Sequence, residues 1–486
     1  MQLIASILKR SGCCRTRTAL VLAVWAVTLF ALACSTPSLE PWHTEKLTEE
    51  FTAEMAQKIR TFDEYLQLED RLFAQLEENV YTQTGTGPDY ELVRYSAGSA
   101  ADPQHRRPNW NRSFELSADR PVGGVLLLHG MSDSPYSLRA LGRTLNRRDY
   151  RVIGLRLPGH GTAPSGLTSL SWQDMVSAVR LAMADLATSL GGKPIHIVGY
   201  STGAPLAINF ALDALEGDGL PVPASLVLIS PAIGIHAAAA LSKWKRWLSN
   251  LPGFSGHAWL SVLPEFDPYK YNSFATNAAE QVHGLTRSVA RRVLSRANSA
   301  PNEILPPILV FKSTVDATVS TDAVVDRLLK LLKPERHELV LFDINRFAAK
   351  SSLLIADPAP LTERVMADRG LPFVVTLVTN EDPLSTSVVA LRKPPFSDKT
   401  SKTELLNLAW PRGVISLSHV ALPFPPDDPL YGQALPPGKG DTLFLCQMAI
   451  QGERGLLKIP YSFLVRIRYN PFYDYLEGRV LEWLEL

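Results

Sequence analysis

The sequence predicts an α/β fold with a mostly parallel central sheet flanked by helices. Three observations predict it. A short, wholly apolar run at 124–128 (GVLLL) is followed by similar, mostly apolar runs at 152–157, 195–198, 226–229, 308–311 and 339–342. None alternates polar with apolar, as befits strands buried on both faces. Amphipathic segments lie between them at 137–147, 172–190, 203–215 and 321–332, and this alternation predicts parallel pairing with right-handed crossovers. A chain of 486 residues, 46% of them hydrophobic, can bury such a core, and a largely disordered protein is excluded. With 49 basic and 48 acidic residues the net charge is +1, which excludes a general nucleic-acid binder.

At the N-terminus, residues 1–18 carry Lys9, Arg10, Arg15 and Arg17 and no acid, and 19–33 are uncharged and almost wholly apolar. That is the pattern of a secretory signal; the apolar stretch is short for a spanning helix, which needs about 20 residues. The run ends Leu32-Ala33-Cys34 and resembles a bacterial lipobox, with Ala31 where that signal usually has Leu. The resemblance implies cleavage after Ala33 and a lipid on Cys34. Ser35 resembles the outer-membrane sorting signal of Gram-negative lipoproteins. The expected location is therefore the cell envelope, on the periplasmic side and tethered to a membrane. An uncleaved N-terminal anchor is the alternative, and it leaves the body on the same side. Loss of 1–33 removes four bases and no acids, leaving 45 bases against 48 acids and a net charge of −3. It also removes Cys13 and Cys14. Cys446 is then the one cysteine without lipid, expected to be buried, and no internal disulfide can form.

Residues 35–43 read as a linker. From 44 to 80 the pattern is helical, with Leu47, Phe51, Met55, Ile59 and Phe62 at spacings of three and four. Thr61 and Glu64 have capping-box spacing and predict a second helix start. Together 34–117 make a linker and helical extension, closed by a polar, Pro-rich loop at 97–112. The main domain is expected over 118–486.

The chemistry centres on Ile195-His-Ile-Val-Gly199-Tyr-Ser201-Thr-Gly203, an apolar strand running into Gly-x-Ser-x-Gly and then a helix. A sharp turn there lifts the Ser201 hydroxyl clear of the backbone, and the helix start presents free N–H groups beside it. Upstream, a buried strand ends in His129-Gly130-Met131. With these motifs the chain resembles the serine α/β-hydrolase family, in particular its monoacylglycerol-lipase and carboxylesterase-like members. Tyr136-Ser-Leu-Arg-Ala-Leu141 and Pro158-Gly159-His160-Gly161 continue the resemblance over roughly 120–345 and 413–420. It implies an α/β-hydrolase fold and an oxyanion hole made by the N–H groups of Met131 and Thr202. It also implies that His160 is a structural loop residue.

A nucleophilic serine needs a base, and the base an orienting carboxylate; in this fold their order is Ser, acid, His. Of the histidines, His337 and His419 follow a suitable acid. His337 precedes a strand, at the wrong end of the sheet, whereas His419 follows a short apolar run into a loop, so His419 is the expected base. Asp316 follows the run 308–311 through a loop and resembles the family's acid. Asp382, after the apolar run near 373–378, is a rival. Residues 231–305 fall where the family inserts a cap and are rich in aromatics, including Trp244, Trp247, Phe254 and Trp259; an apolar lid suits an acyl or lipid-like ester. Residues 344–412 form an extra insertion, and 472–486 a closing helix. No zinc motif or phosphate loop occurs, and the expected chemistry needs no metal or cofactor. The expectation is a serine hydrolase of carboxylic esters. Amidase, peptidase or thioesterase action on the same triad, or a non-catalytic binding module on the same fold, are the alternatives.

Overall fold

The apolar runs expected to form the sheet fall on strands, 152–157 running two residues past the end of its own. The computed structural model describes residues 38–217, 219–234, 258–299, 305–316, 320–334, 336–349, 352, 354–434, 443–446, 456 and 466–485. The leader with Cys34 lies outside the described residues, as do Trp244, Trp247 and Phe254 of the cap. The strands are β1 (Phe114–Leu116), β2 (Gly123–Leu128), β3 (Tyr150–Leu155), β4 (Ile195–Tyr200), β5 (Ser225–Ile229), β6 (Trp259–Ser261), β7 (Phe274–Ala275), β8 (Ile308–Ser313), β9 (His337–Phe342), β10 (Val374–Asn380), β11 (Ser387–Lys393) and β12 (Lys402–Ala409). Ten of them form one sheet in the order β1-β3-β2-β4-β5-β8-β9-β10-β11-β12. From β3 to β10 every neighbouring pair is parallel; β1 at one edge and β11 and β12 at the other are antiparallel. β6 and β7 pair separately as a hairpin in the cap.

The helices are α1 (Pro41–Thr44), α2 (Phe62–Asn79), α3 (Arg139–Asn146), α4 (Trp172–Leu190), α5 (Gly203–Leu215), α6 (Thr276–Ser299), α7 (Thr321–Arg327), α8 (Ala359–Ala367) and α9 (Tyr473–Glu485). They make two layers. Leu126, Leu128, Ile197, Leu228 and Val310 point to one face and pack with α4, α5 and α6. Val125, Leu127, Val198, Val227 and Leu309 point to the other and pack with α3 and α9. Successive side chains alternate between two apolar cores, which is why the sequence of these strands shows no alternation.

The extension departs from its expectation. Over 45–61 there is no α-helix, only a 3₁₀ turn at Ala53–Gln57. Leu47, Phe51, Met55 and Ile59 instead pack one by one onto the body, and their spacing is coincidental. The helix begins at the capping box: Thr61 accepts from the Glu64 N–H, and Glu64 reaches back to the Thr61 N–H. The 344–412 segment holds three strands that prolong the sheet. Cys446 is half-buried rather than buried. No helix among the described residues is long and apolar enough to cross a membrane.

Candidate active site

Ser201 sits between β4 and α5 with φ of 51°, in the left-handed region that a serine rarely occupies. The turn closes only because its flanking residues are glycines. A Cβ on Gly199 would lie 2.5 Å from the Gly203 carbonyl oxygen, and one on Gly203 would collide with the Leu128 carbonyl. The Ser201 N–H donates to the Ile229 carbonyl (2.9 Å) and its carbonyl accepts from the Ala232 N–H (3.0 Å), so neighbouring strand ends hold the strained residue.

A cavity of about 580 Å³ opens over this turn; Met131, Ser201, Lys270, His419, Phe424 and Arg468 are among its lining residues. His419 begins a 3₁₀ turn at His419–Ala421, and the Tyr200 hydroxyl donates to its carbonyl (3.4 Å). Its Nδ1 lies 3.6 Å from Oδ1 of Asp316, an electrostatic contact rather than a hydrogen bond. The other carboxylate oxygen, Oδ2, accepts from Lys312 Nζ at 2.8 Å, and both of those side chains are wholly buried. Burial holds the His419 imidazole down, to about 4; Asp316 opposes this, and Arg466, Lys270 and Lys312 add to it. A neutral imidazole at neutral pH can accept a proton.

Ser201 and His419 thus line one cavity, and His419 faces Asp316 on its far side. Asp382 lies in an exposed turn between β10 and β11, where its side chain accepts from the Leu384 N–H (2.7 Å). His337 starts β9, and its Nδ1 accepts from the Ile308 N–H (3.1 Å). Asp343 is paired with Arg346 (2.8 Å).

Met131 lines the cavity and Thr202 caps the start of α5 beside Ser201, and neither N–H donates to another group among the described residues. The loops around them are fixed from behind. His129 accepts the Leu157 N–H at Nε2 (3.0 Å) and faces the Gly130 carbonyl with Nδ1 (2.8 Å), tying β2 to the loop after β3. His160 is fully buried there, 2.9 Å from the Pro158 carbonyl and 3.1 Å from the Met131 sulfur. Burial pushes both imidazoles down, His160 to about 4. From the cap, the Tyr271 N–H donates to the Ser132 carbonyl (2.7 Å).

Sequence reasoning gave no role to Lys312, Lys270, Arg466 or Arg468. A lysine ending the apolar run 308–311 was a signal for the first. The others carry none, because they converge on the cavity from distant parts of the chain.

Residues 125–360 match the model of the alpha/beta hydrolase family. A thermostable monoacylglycerol lipase of Bacillus sp. (strain H-257) is 31% identical over 200 residues, which is 41% of this chain and 72% of that protein. An uncharacterized protein of Mycobacterium tuberculosis is 30% identical over 102 residues, 21% of this chain and 28% of its own length. Among solved structures, a Paleococcus ferrophilus monoacylglycerol lipase aligns at 16% identity and a TM-score of 0.37, over 48% of this chain and 88% of that one. The strand order, the strained serine turn and the extent of the match to the Bacillus lipase agree: the chain belongs to the alpha/beta hydrolase family.

Proposed function

We propose that the protein is a serine hydrolase that cleaves carboxylic esters of acyl or lipid-like substrates. One observation carries this: a serine on a strained strand-to-helix turn shares its cavity with a neutral histidine whose far nitrogen faces a buried carboxylate. The similarity to a monoacylglycerol lipase supports an ester as the bond broken.

Ser201 Oγ attacks the acyl carbonyl while His419 takes its proton at Nε2. The negative charge that develops on the carbonyl oxygen is held by the Met131 and Thr202 N–H groups; one such donor is worth ~10²–10³ in rate. The carbon–oxygen bond to the alcohol then breaks, and His419 returns the proton to the leaving alcohol. Water attacks the acyl-enzyme with His419 again as base, releasing the carboxylic acid and restoring the Ser201 hydroxyl. Asp316 fixes the imidazole tautomer, and Lys312 fixes Asp316. The protein works at the cell envelope, held to a membrane through Cys34 or an uncleaved leader.

A fluorophosphonate probe is expected to label the wild type and not Ser201→Ala, and Ser201→Ala to lose ester turnover. A folded wild type that is never labelled would sink the proposal. Turnover of peptidyl amides without short acyl esters would move the activity to an amidase. Radiolabelled fatty acid incorporated into wild type and lost in Cys34→Ser tests the anchor.

A further inference from the structure

The cavity beside Ser201 has a cationic wall whose parts are held in place before any substrate arrives. Lys270, Arg466 and Arg468 line it, against the carboxylates Asp133 and Asp267. Lys270 Nζ lies 3.4 Å from Asp133, and Arg468 Nη1 lies 3.1 Å from Asp267. In each pair the cation holds the exposed side: the Lys270 side chain is 19% exposed against 3% for Asp133, and Arg468 33% against 1% for Asp267. The carboxylates sit behind and hold the cations forward. Asp267 is saturated by other donors, the Tyr431 hydroxyl (2.6 Å) and the Tyr269 and Lys270 N–H groups (3.0 and 3.2 Å). Aromatic rings complete the mounting, with Lys270 Nζ 5.1 Å from the Phe424 ring centre and the Arg468 guanidinium 5.6 Å from that of Tyr431.

An acyl chain alone gives such groups nothing to bind, and cations fixed in a partly enclosed cavity raise the local concentration of anions. We propose that this wall selects an ester that carries its own anionic group, a carboxylate or a phosphate. The proposal rests on the ester-hydrolase reading above. Lys270 and Arg468 hold the anion through charge-assisted hydrogen bonds while Ser201 meets the ester carbonyl. The bound anion also offsets the positive field that Arg466 and Lys270 place on His419. The imidazole is therefore a stronger base with the anionic substrate in place than in the empty site.

The test compares matched pairs at low salt: mono-(4-nitrophenyl) adipate against 4-nitrophenyl hexanoate, and 1-hexanoylglycerol 3-phosphate against 1-hexanoylglycerol. In at least one pair the anionic member is expected to lead in kcat/KM by about tenfold or more, the scale of a hydrogen bond to a charged group. Which pair responds tells carboxylate from phosphate. The lead should shrink as salt rises. Arg468→Gln should cut the anionic-to-neutral ratio about tenfold. So should the double change Lys270→Gln with Asp133→Asn, which avoids stranding a buried carboxylate. Equal or better use of the neutral member in both pairs, or a ratio that neither variant moves, overturns the proposal. Failure of all four esters to turn over would remove the ester-hydrolase reading instead, and binding then decides. By titration calorimetry, Ser201→Ala protein should bind an anionic member more tightly than its neutral partner and lose that difference with Arg468→Gln; equal binding overturns the proposal.

Discussion

The two parts of the chain that flank the family match serve the cavity in opposite ways. Among the described residues before 125, none lines it; after residue 360, His419, Phe424, Leu445, Arg466 and Arg468 are among those that do. The N-terminal part works through a buried charge cluster. Arg156, just after β3, is 1% exposed at its side chain and pairs with Glu69 on α2 (3.0 Å) and with Glu50 (2.9 Å). Glu50 also accepts the Gly159 N–H (2.9 Å), and the Tyr65 hydroxyl donates to the Arg156 carbonyl (2.6 Å). The extension thereby grips the loop that carries His160, which touches Met131. One part is a brace, and on the reading proposed above the other supplies reacting and recognition groups.

The sharpest way to break that contrast is at its catalytic end. His419→Ala is expected to lower ester turnover by on the order of 10⁴ and to leave the thermal midpoint nearly unchanged. A large loss of stability with the activity would show that the C-terminal part is also a brace. Next comes Arg156→Met, which strands Glu69 in the interior. It should cost about 3–5 kcal/mol of stability, read from urea unfolding, because a buried charge loses its partner. Wild-type stability in this variant would make the cluster ornamental.

Acid should weaken the braced side next. Burial holds His43 and His160 down to about 4, and His129 lower than its ordinary value, so the folded protein keeps them neutral. Unfolded, each takes up a proton near 6.5. The unfolded state then binds more protons in between, so stability should fall as pH drops from about 6.5 toward 4 and be fully present above that range. Urea midpoints measured across it check the slope. His43→Gln should flatten part of it, since His43 belongs to the extension and meets Ser273 of the cap (3.0 Å). The smallest effect is expected at Asp382→Asn. That residue is exposed on the added sheet edge, so stability should stay within about 0.5 kcal/mol of wild type. Ester turnover should not change; a large loss there would return Asp382 to contention as the acid.

What could be read from the sequence was what is local. The turn at Ser201 is written in nine consecutive residues, and the capping box at Thr61 in four. Asp316 and Asp382 both follow an apolar run and look alike as strings. They differ because β10 turns back into an antiparallel hairpin, whereas β8 leads to the cavity, and strand order is a property of the whole sheet. The misread helix over 45–61 has the same origin: apolar spacing was visible, but the separate places on the body where each residue docks were not. The cationic wall was beyond reach for the plainest reason, since Lys270 and Arg468 are far apart in the chain and share no motif.

The position of Arg468 and His419 late in the chain also sets a schedule. Chains are made from the N-terminus, and the early parts of a protein can begin to organise while the rest is still being added. Here Ser201 and the brace come first, whereas His419 of the proposed triad and Arg468 of the proposed anion wall come more than two hundred residues later. The Tyr150 hydroxyl of β3 meets the Leu484 carbonyl (3.3 Å), so even an early strand awaits the final helix for one of its bonds. On the proposed triad, a growing chain therefore carries its serine without its base until residue 419 has been added.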